Sequence, residues 1–266
     1  MSPRVTALIG AYNNAATLER ATRSMLTQTI VDLELLIVDD GSRDSSAEIA
    51  ERLAAEDSRV RLLRIPDNVG IAGSLNAGLA AAQSPFAAVL DADDWSEPNR
   101  LERQLDVIVP HPAIAVVGCR MREVDQRGRE LVPRTKFAPG DVNELLMRFN
   151  PIPNTSAMLR RELVLALGGY DPRYRWATEY DLWLRLAEHH RLVALDETLA
   201  TRQMSTANVA ATREREQIAE TIAMRIRAMR RRRSIQGATG LIVPCVSYVT
   251  PLPVKRGIRR RVGQAP

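Results

Sequence analysis

The chain predicts an α/β fold on a mostly parallel central sheet, and three observations carry that prediction. Four times in the first hundred residues an apolar run is followed by a polar turn, then by a segment with apolar residues three and four apart. Those runs are almost continuously apolar, as strands become when helices cover both faces of a sheet. The 266 residues are also 45% hydrophobic, enough to fill one large domain or two small ones.

Taken in order, a strand over 5–9 leads to a helix over 17–28, and a strand over 33–38 to a helix over 45–55 whose Ile49 and Leu53 share a face. A strand over 60–65 leads to a helix near 74–82, and one over 86–90 to a helix over 97–109. A further strand spans 113–118, and 121–132 reads as a hairpin turning at Gln126-Arg127-Gly128. Helices follow near 141–149, 161–167 and 179–188, with a strand at 192–195. A long charged helix covers about 212–234, after which Gly237, Gly240, Pro244, Pro251 and Pro253 interrupt regular structure. The expected division is a catalytic domain over 1–210, with a nucleotide-binding half at 1–100 and an acceptor half at 101–210, and a helical basic appendage over 211–266.

No apolar run approaches the roughly 18 residues that cross a bilayer, and residues 1–10 meet Tyr12-Asn13-Asn14 instead of a cleavage site, so the chain reads as neither secreted nor membrane-spanning. Cys119 and Cys245 are far apart and lack metal-ligand spacing, which fits reduced thiols in a cytosol. The net charge of +5 is concentrated near the end of the chain, at 230–233 and 255–261.

In an open parallel sheet ligands lie beyond the carboxyl ends of the strands, where strand order reverses. Four turns put polar clusters there: Tyr12-Asn13-Asn14, Asp39-Asp40-Gly41-Ser42, Asn68-Val69-Gly70 and Asp91-Ala92-Asp93-Asp94. Three carboxylates within four residues repel one another unless a cation or hydrogen-bond donors neutralise them, and hard oxygen ligands suit Mg²⁺ or Mn²⁺. Such an ion holding two phosphates would stabilise a departing nucleoside diphosphate. The blander alternative is a helix-capping turn at Asp94. Asp39-Asp40-Gly41-Ser42 can likewise be a strand-to-helix loop with a left-handed glycine and Ser42 or Asp44 as cap, or can offer a carboxylate to a base or ribose. Tyr12 can stack on a base or simply pack. His111, His189 and His190 show no ligand spacing and fit surface positions.

Ala11-Tyr12-Asn13, Val38-Asp39-Asp40-Gly41-Ser42, Asn68-Val69-Gly70, Leu90-Asp91-Ala92-Asp93-Asp94, Gly168-Gly169-Tyr170-Asp171 and Glu179-Tyr180-Asp181-Leu182-Trp183-Leu184-Arg185 resemble, in order and spacing, the motifs of family-2 glycosyltransferases with the A-type fold. The resemblance covers about 4–205 and implies a Rossmann-like nucleotide-binding half. It implies an inverting enzyme that moves a sugar from a nucleotide-diphosphate sugar, UDP-linked by preference, to a hydroxyl acceptor in surface polysaccharide or glycolipid assembly. By that resemblance Tyr12 and Asp40 hold the base, Asp91 the ribose or metal, and Asp93 the metal. Ala11, Asn68 and Gly70 complete the nucleotide-binding set. Glu179 is the catalytic base, and Trp176 and Asp181 are candidates for the acceptor side.

Glu179 stands where the family usually has Asp, and Met204 where relatives commonly carry His. These departures keep open an inactive nucleotide-sugar-binding partner or sensor. Glu179 and Asp181 also suit an exposed acidic first helical turn, and Trp176 a buried aromatic. A receiver-like phosphoacceptor domain would be about half this length and would not need Asp91 to Asp94. Arg225, Arg227, 230–233 and 256–261 flank the apolar stretch 241–249, which suits docking on an anionic membrane surface, whereas a solvated helix and loose tail is the plainer reading. Nucleic acid is disfavoured because no aromatic residues interleave the basic run.

Overall fold

A computed structural model describes residues 3–133, 136–204, 210–232 and 238–250. The basic cluster at 255–261, together with Pro251 and Pro253, lies outside the described residues. The first half follows the expected alternation: β1 (Val5–Ala11), α1 (Leu18–Leu26), β2 (Leu33–Asp40), α2 (Ser46–Glu56), β3 (Val60–Ile65), α3 (Gly70–Ala81) and β4 (Phe86–Asp91). There follow the short β5 (Trp95–Ser96), α4 (Arg100–Ile108), β6 (Ile114–Val124), β7 (Gly140–Asp141), β8 (Met158–Arg160), α5 (Arg161–Ala166), α6 (Thr178–Leu186) and β9 (Arg191–Gln203). α7 (Ala210–Arg231) and α8 (Ile242–Val249) close the described chain.

Among the described residues the strands form one sheet in the order β3-β2-β1-β4-β8-β6-β9-β5, with β7 on β9. β1 to β4 pair in parallel, β8 runs antiparallel to both β4 and β6, and β6 and β9 are parallel again. Every residue of β2 is buried, including Glu34, whose carboxylate accepts from Thr6 Oγ1 (2.7 Å) and pairs with Arg61. Side chains alternate between two cores: Leu8 and Val38 face α3 and α6, while Ala7, Ile9 and Ile37 face α1, α2 and α4. Because β2 and β3 lie on one side of β1 and β4 on the other, strand order reverses between β1 and β4, and a crevice opens beyond their carboxyl ends.

Several elements differ from expectation, each because a distant contact overrides the local pattern. α3 starts at Gly70 instead of near Ser74, since the Asp40 carboxylate accepts hydrogen bonds from Val69 N (2.8 Å) and Gly70 N (2.9 Å) and caps it from another strand. The expected helix over 141–149 reduces to a 3-10 turn at Leu145–Met147. Its backbone is satisfied from elsewhere: Tyr180 Oη donates to Leu146 O, and Arg225 donates to Arg148 O. β9 runs to Gln203, well past 195, because β6 continues to Val124 beside it, with register shifts around Arg120. The hairpin return after Gly128 amounts to one bridge, Val124 to Glu130. α8 forms despite Pro244, which lies in its first turn, where a missing N–H costs no helical bond.

α7 is stapled to the domain by Arg225. Its buried guanidinium donates to Tyr180 Oη (2.8 Å), to Arg148 O (2.6 Å) and to Gly240 O. Arg227 donates to Tyr174 Oη (2.6 Å) and Arg231 to Glu188 Oε1 (2.6 Å), so these arginines of the charged helix face protein partners. Arg225→Met keeps most of the volume but leaves three acceptors without a donor, and should lower unfolding free energy by about 2–4 kcal/mol. Urea unfolding followed by circular dichroism reads that loss as a lower midpoint at an unchanged slope.

Candidate active site

The crevice holds a cavity of about 770 Å³, lined by Ala11 and Tyr12 from the end of β1, Asp40 from the end of β2, Asn68 to Ala72 with Ser74 and Leu75 from the start of α3, Asp91 from the end of β4, and Pro172 with Tyr174 to Trp176 from the loop before α6. The loops are fixed to one another. Asn13 adopts φ +56° and its side chain accepts from Arg43 N (2.8 Å), while Asn13 N donates to Ser42 Oγ (3.0 Å) and Asn14 N to Ser46 Oγ (2.8 Å). Gly41 has φ +69°, the left-handed conformation anticipated for it. Tyr12 is 43% exposed at the cavity edge and is not packed in the core. Both Asp40 oxygens are engaged by the α3 amides, and burial nevertheless raises its pKa, with the two amides opposing and Asp39 adding to the rise.

Asp91, Asp93 and Asp94 bring carboxylate oxygens within 4.8 Å of one another, running from exposed Asp93 to buried Asp94. Asp91 N donates to the buried Thr155 Oγ1 (3.0 Å), and Asp94 Oδ1 accepts from Gln203 N (3.1 Å). Asp94 Oδ2 is buried without a hydrogen-bond partner, with Arg202 Nε 3.8 Å away. Burial raises Asp91 to about 6, opposed by Arg202 and Arg100 and reinforced by Asp93. Asp94 lies well above the ordinary carboxylate range, through burial and then the charge of Asp91. Three hard, mutually repelling carboxylates and one orphaned oxygen fit a divalent cation. Arg20 closes the outer side, donating to Asp93 O (2.8 Å) and Gln203 Oε1 (2.6 Å) and stacking over Trp95 at 4.2 Å.

Glu179 sits in the first turn of α6 and accepts a hydrogen bond from Asn150 Nδ2 (2.9 Å). Burial pushes its pKa up to about 7, with Asp91 adding to the rise and its own amide, Arg202 and Asn150 opposing. It does not line the main cavity, yet it shares the fields of Asp91 and Arg202. Arg202 lies beside the Asp cluster, 3.8 Å from Asp94, and feels the charge of Glu179 as well: burial works against its own charge, but Asp94, Asp91, Glu179 and Glu123 outweigh that and raise its pKa. Asp181 points elsewhere. It is buried against Arg185 Nε (2.7 Å), whose guanidinium also donates to Gly169 O (2.6 Å), so it fixes the turn after α5 and does not line the cavity. That turn needs glycine at 169, where φ is +74° and a Cβ would meet Asn76 Oδ1 at 2.2 Å. The Asn76 amide holds both Tyr170 N and Tyr170 O at 2.8 Å.

Of the residues singled out in the sequence, Ala11, Tyr12, Asp40, Asn68, Gly70, Asp91 and Trp176 meet at one cavity, with Asp93 beside Asp91. Sequence reasoning missed Arg20, Arg100, Asn150 and the role of Arg202. Arg100 is fully buried behind the acidic loop and donates to Val89 O (2.8 Å) and Ser96 Oγ (2.9 Å). Its signal in the sequence is an arginine and a glutamine four residues apart on the helical face shared with Leu101, Leu105 and Ile108.

The family model described as "Glycosyl transferase family 2" matches residues 6–167. The putative glycosyltransferase EpsE of Bacillus subtilis (strain 168) is 34% identical over 192 residues, spanning 70% of this chain and 67% of that protein. The amylovoran biosynthesis glycosyltransferase AmsE of Erwinia amylovora is 28% identical over 181 residues, spanning 67% and 68%. Among solved structures, S. aureus TarS 1–349 in complex with UDP superposes with a TM-score of 0.67 at 18% identity, covering 85% of this chain and 65% of that one. The mannosyltransferase PcManGT from Pyrobaculum calidifontis, in complex with GDP-Man and Mn²⁺, superposes with a TM-score of 0.67 at 17% identity, covering 99% and 80%. These structures share the A-type fold with this chain.

Glu179 has a measurable thermodynamic signature. With its pKa raised from 4.5 to about 7, the folded chain keeps a proton that the unfolded chain has released, so stability falls as pH rises through that window. Urea midpoints should therefore decline from pH 5 to 7.5, and Glu179→Gln should flatten the decline.

Proposed function

The chain belongs to glycosyltransferase family 2, and from that membership we propose an inverting, metal-dependent transferase that moves a sugar from a nucleoside-diphosphate sugar, UDP-linked by first preference, to a hydroxyl acceptor in cell-surface polysaccharide or glycolipid assembly. The observation that carries the reading is that Glu179, a carboxylate whose pKa burial raises, feels the charges of Asp91 in the Asp91, Asp93 and Asp94 cluster and of Arg202 beside that cluster. One site must take up a proton and the other must bear a departing diphosphate, and those needs match these two environments.

In this scheme Tyr12 and Asp40 receive the nucleoside, Asn68 and Gly70 shape its pocket, and Trp176 faces the transferred sugar or acceptor from the opposite wall. Asp91, Asp93 and Asp94 would hold Mg²⁺ or Mn²⁺, which when bound supplies positive charge to the diphosphate. The PcManGT structure carries Mn²⁺ with GDP-Man, which supports the choice of ion and leaves guanine as an alternative base. Glu179 takes the acceptor hydroxyl proton as that oxygen attacks the anomeric carbon; the bond to the diphosphate breaks on the opposite face and the configuration inverts. A carboxylate with a pKa near 7 is matched to that task at neutral pH. Arg202 adds a second cation beside the leaving group, which offsets the Met204 that stands where relatives carry His.

No helix among the described residues is long and apolar enough to cross a membrane. We infer a peripheral station on the cytoplasmic face, because α8 exposes Ile242 (59%), Val243 (70%) and Val246 (57%) within a stretch after Glu220 that has no acidic residue and eleven Lys or Arg, of which Arg225, Arg227 and Arg231 are turned to protein partners.

Two outcomes are expected. Glu179→Gln should lower kcat by about 100- to 10,000-fold while leaving the Kd for nucleoside diphosphate with Mn²⁺ unchanged, and wild-type kcat should rise with pH through about 7; loss of nucleotide binding alone would contradict the base assignment. The full chain should sediment with anionic but not neutral liposomes, and I242S/V243S/V246S should reduce that sedimentation severalfold; equal sedimentation of both proteins rules out docking through α8.

A further inference from the structure

The loop that forms one wall of the cavity is held in place by the C-terminal helix. Glu220 of α7 accepts two successive backbone N–H groups, Arg175 N at Oε1 (2.9 Å) and Trp176 N at Oε2 (3.0 Å). One turn earlier Glu216 accepts the Trp176 indole Nε1–H (2.9 Å), and two turns later Arg227 donates to Tyr174 Oη (2.6 Å). Glu216, Glu220, Met224 and Arg227 follow one another at three- and four-residue spacing, so a single face of α7 carries the whole set. Met224 is fully buried, and next to it Arg225 plugs into the core, which fixes that face against the domain.

The held segment is the chain that enters α6. Tyr174, Arg175 and Trp176 line the cavity opposite Asp40 and Gly70, and Glu179 lies three residues after Trp176. A carboxylate bridging two adjacent amides just ahead of a helix is favoured both by charge-assisted hydrogen bonding and by the positive end of the helix dipole. Without it those two N–H groups would seek water and the wall would lose its fixed distance from the α3 side.

We propose that Glu220 is a positioning residue of the active site, setting the Arg175–Trp176 wall for donor binding, so that α7 is part of the catalytic unit. This role rests on the transferase reading above. Glu220 touches no reacting atom; it acts through the loop.

The test compares the wild type with Glu220→Ala, Glu220→Gln and Leu33→Ala. The last variant removes a buried side chain at the amino end of β2, the end of the strand opposite the crevice, and lowers stability in the core. Calorimetry with UDP and with GDP, each with Mn²⁺, gives Kd; nucleotide release from the matching sugar nucleotides gives KM and kcat. Glu220→Ala should raise Kd and KM about tenfold with kcat within about threefold, and Glu220→Gln, which keeps one acceptor oxygen, should raise them less. A purely structural role would lower the fraction of active protein with KM unchanged, as in Leu33→Ala. Should Glu220→Ala not fold, Glu220→Gln and Glu216→Ala decide by the same split. Wild-type Kd and KM in the folded Glu220 variants overturn the positioning role alone. Failure of the wild type itself to bind either nucleotide overturns the transferase reading and this role with it.

Discussion

The cost of taking neighbouring carboxylates out of water at the open end of a parallel sheet, reinforced by their charges on one another, is the constraint around which this site is organised. Asp91, Asp94 and Glu179 are each pushed toward the protonated form by burial, and each adds to or feels the charge of another. Arg202 opposes that repulsion from the end of β9 and Arg100 from beneath the loop. An assembly of this kind is poised: its charges are tolerable in the free protein, and a divalent cation or a proton relieves them further.

The scaffold keeps those groups from drifting apart. The reversal of strand order between β1 and β4 opens the crevice, and the β1 and β2 loops are tied to each other through Asn13, Asn14, Ser42 and Ser46. Asp40 starts α3 by capping its first amides, so the residue that faces the cavity also fixes the wall beside it. The far wall depends on elements remote in sequence, with Gly169 allowing Asn76 to grip Tyr170 while Glu220 grips the next stretch of loop. Electrostatic preorganisation of this sort is what a transfer reaction demands, since donors and acceptors fixed beforehand need not reorganise as charge develops.

How much of this was legible in advance follows the range of the interactions involved. Strands β1, β2 and β4 are legible nearly to their ends because burial on both faces writes a mostly apolar run into the sequence, and the half-exposed β3 is legible from its Val60, Leu62, Leu63 and Ile65. The acidic loop at 91–94 was read because four adjacent residues carry its whole charge pattern. The segment over 141–149 was misread as a helix because its amphipathic spacing is genuine, while its backbone partners come from α6 and α7. α7 itself reads as a basic appendage, since net charge conceals that Glu216, Glu220, Arg225, Arg227 and Arg231 are each engaged by the rest of the domain.

Sequence alone determined the α/β class, the order of the strand-end loops and the identity of the acidic groups, because periodicity and local charge density are properties of neighbours in the chain. Tertiary structure alone decided that Glu179 and Asp91 share one field, that Asp181 turns away to Arg185, and that Glu220 reaches the cavity wall. Those outcomes depend on distances between residues tens of positions apart. Packing of the two cores sets such distances, and no local pattern encodes them.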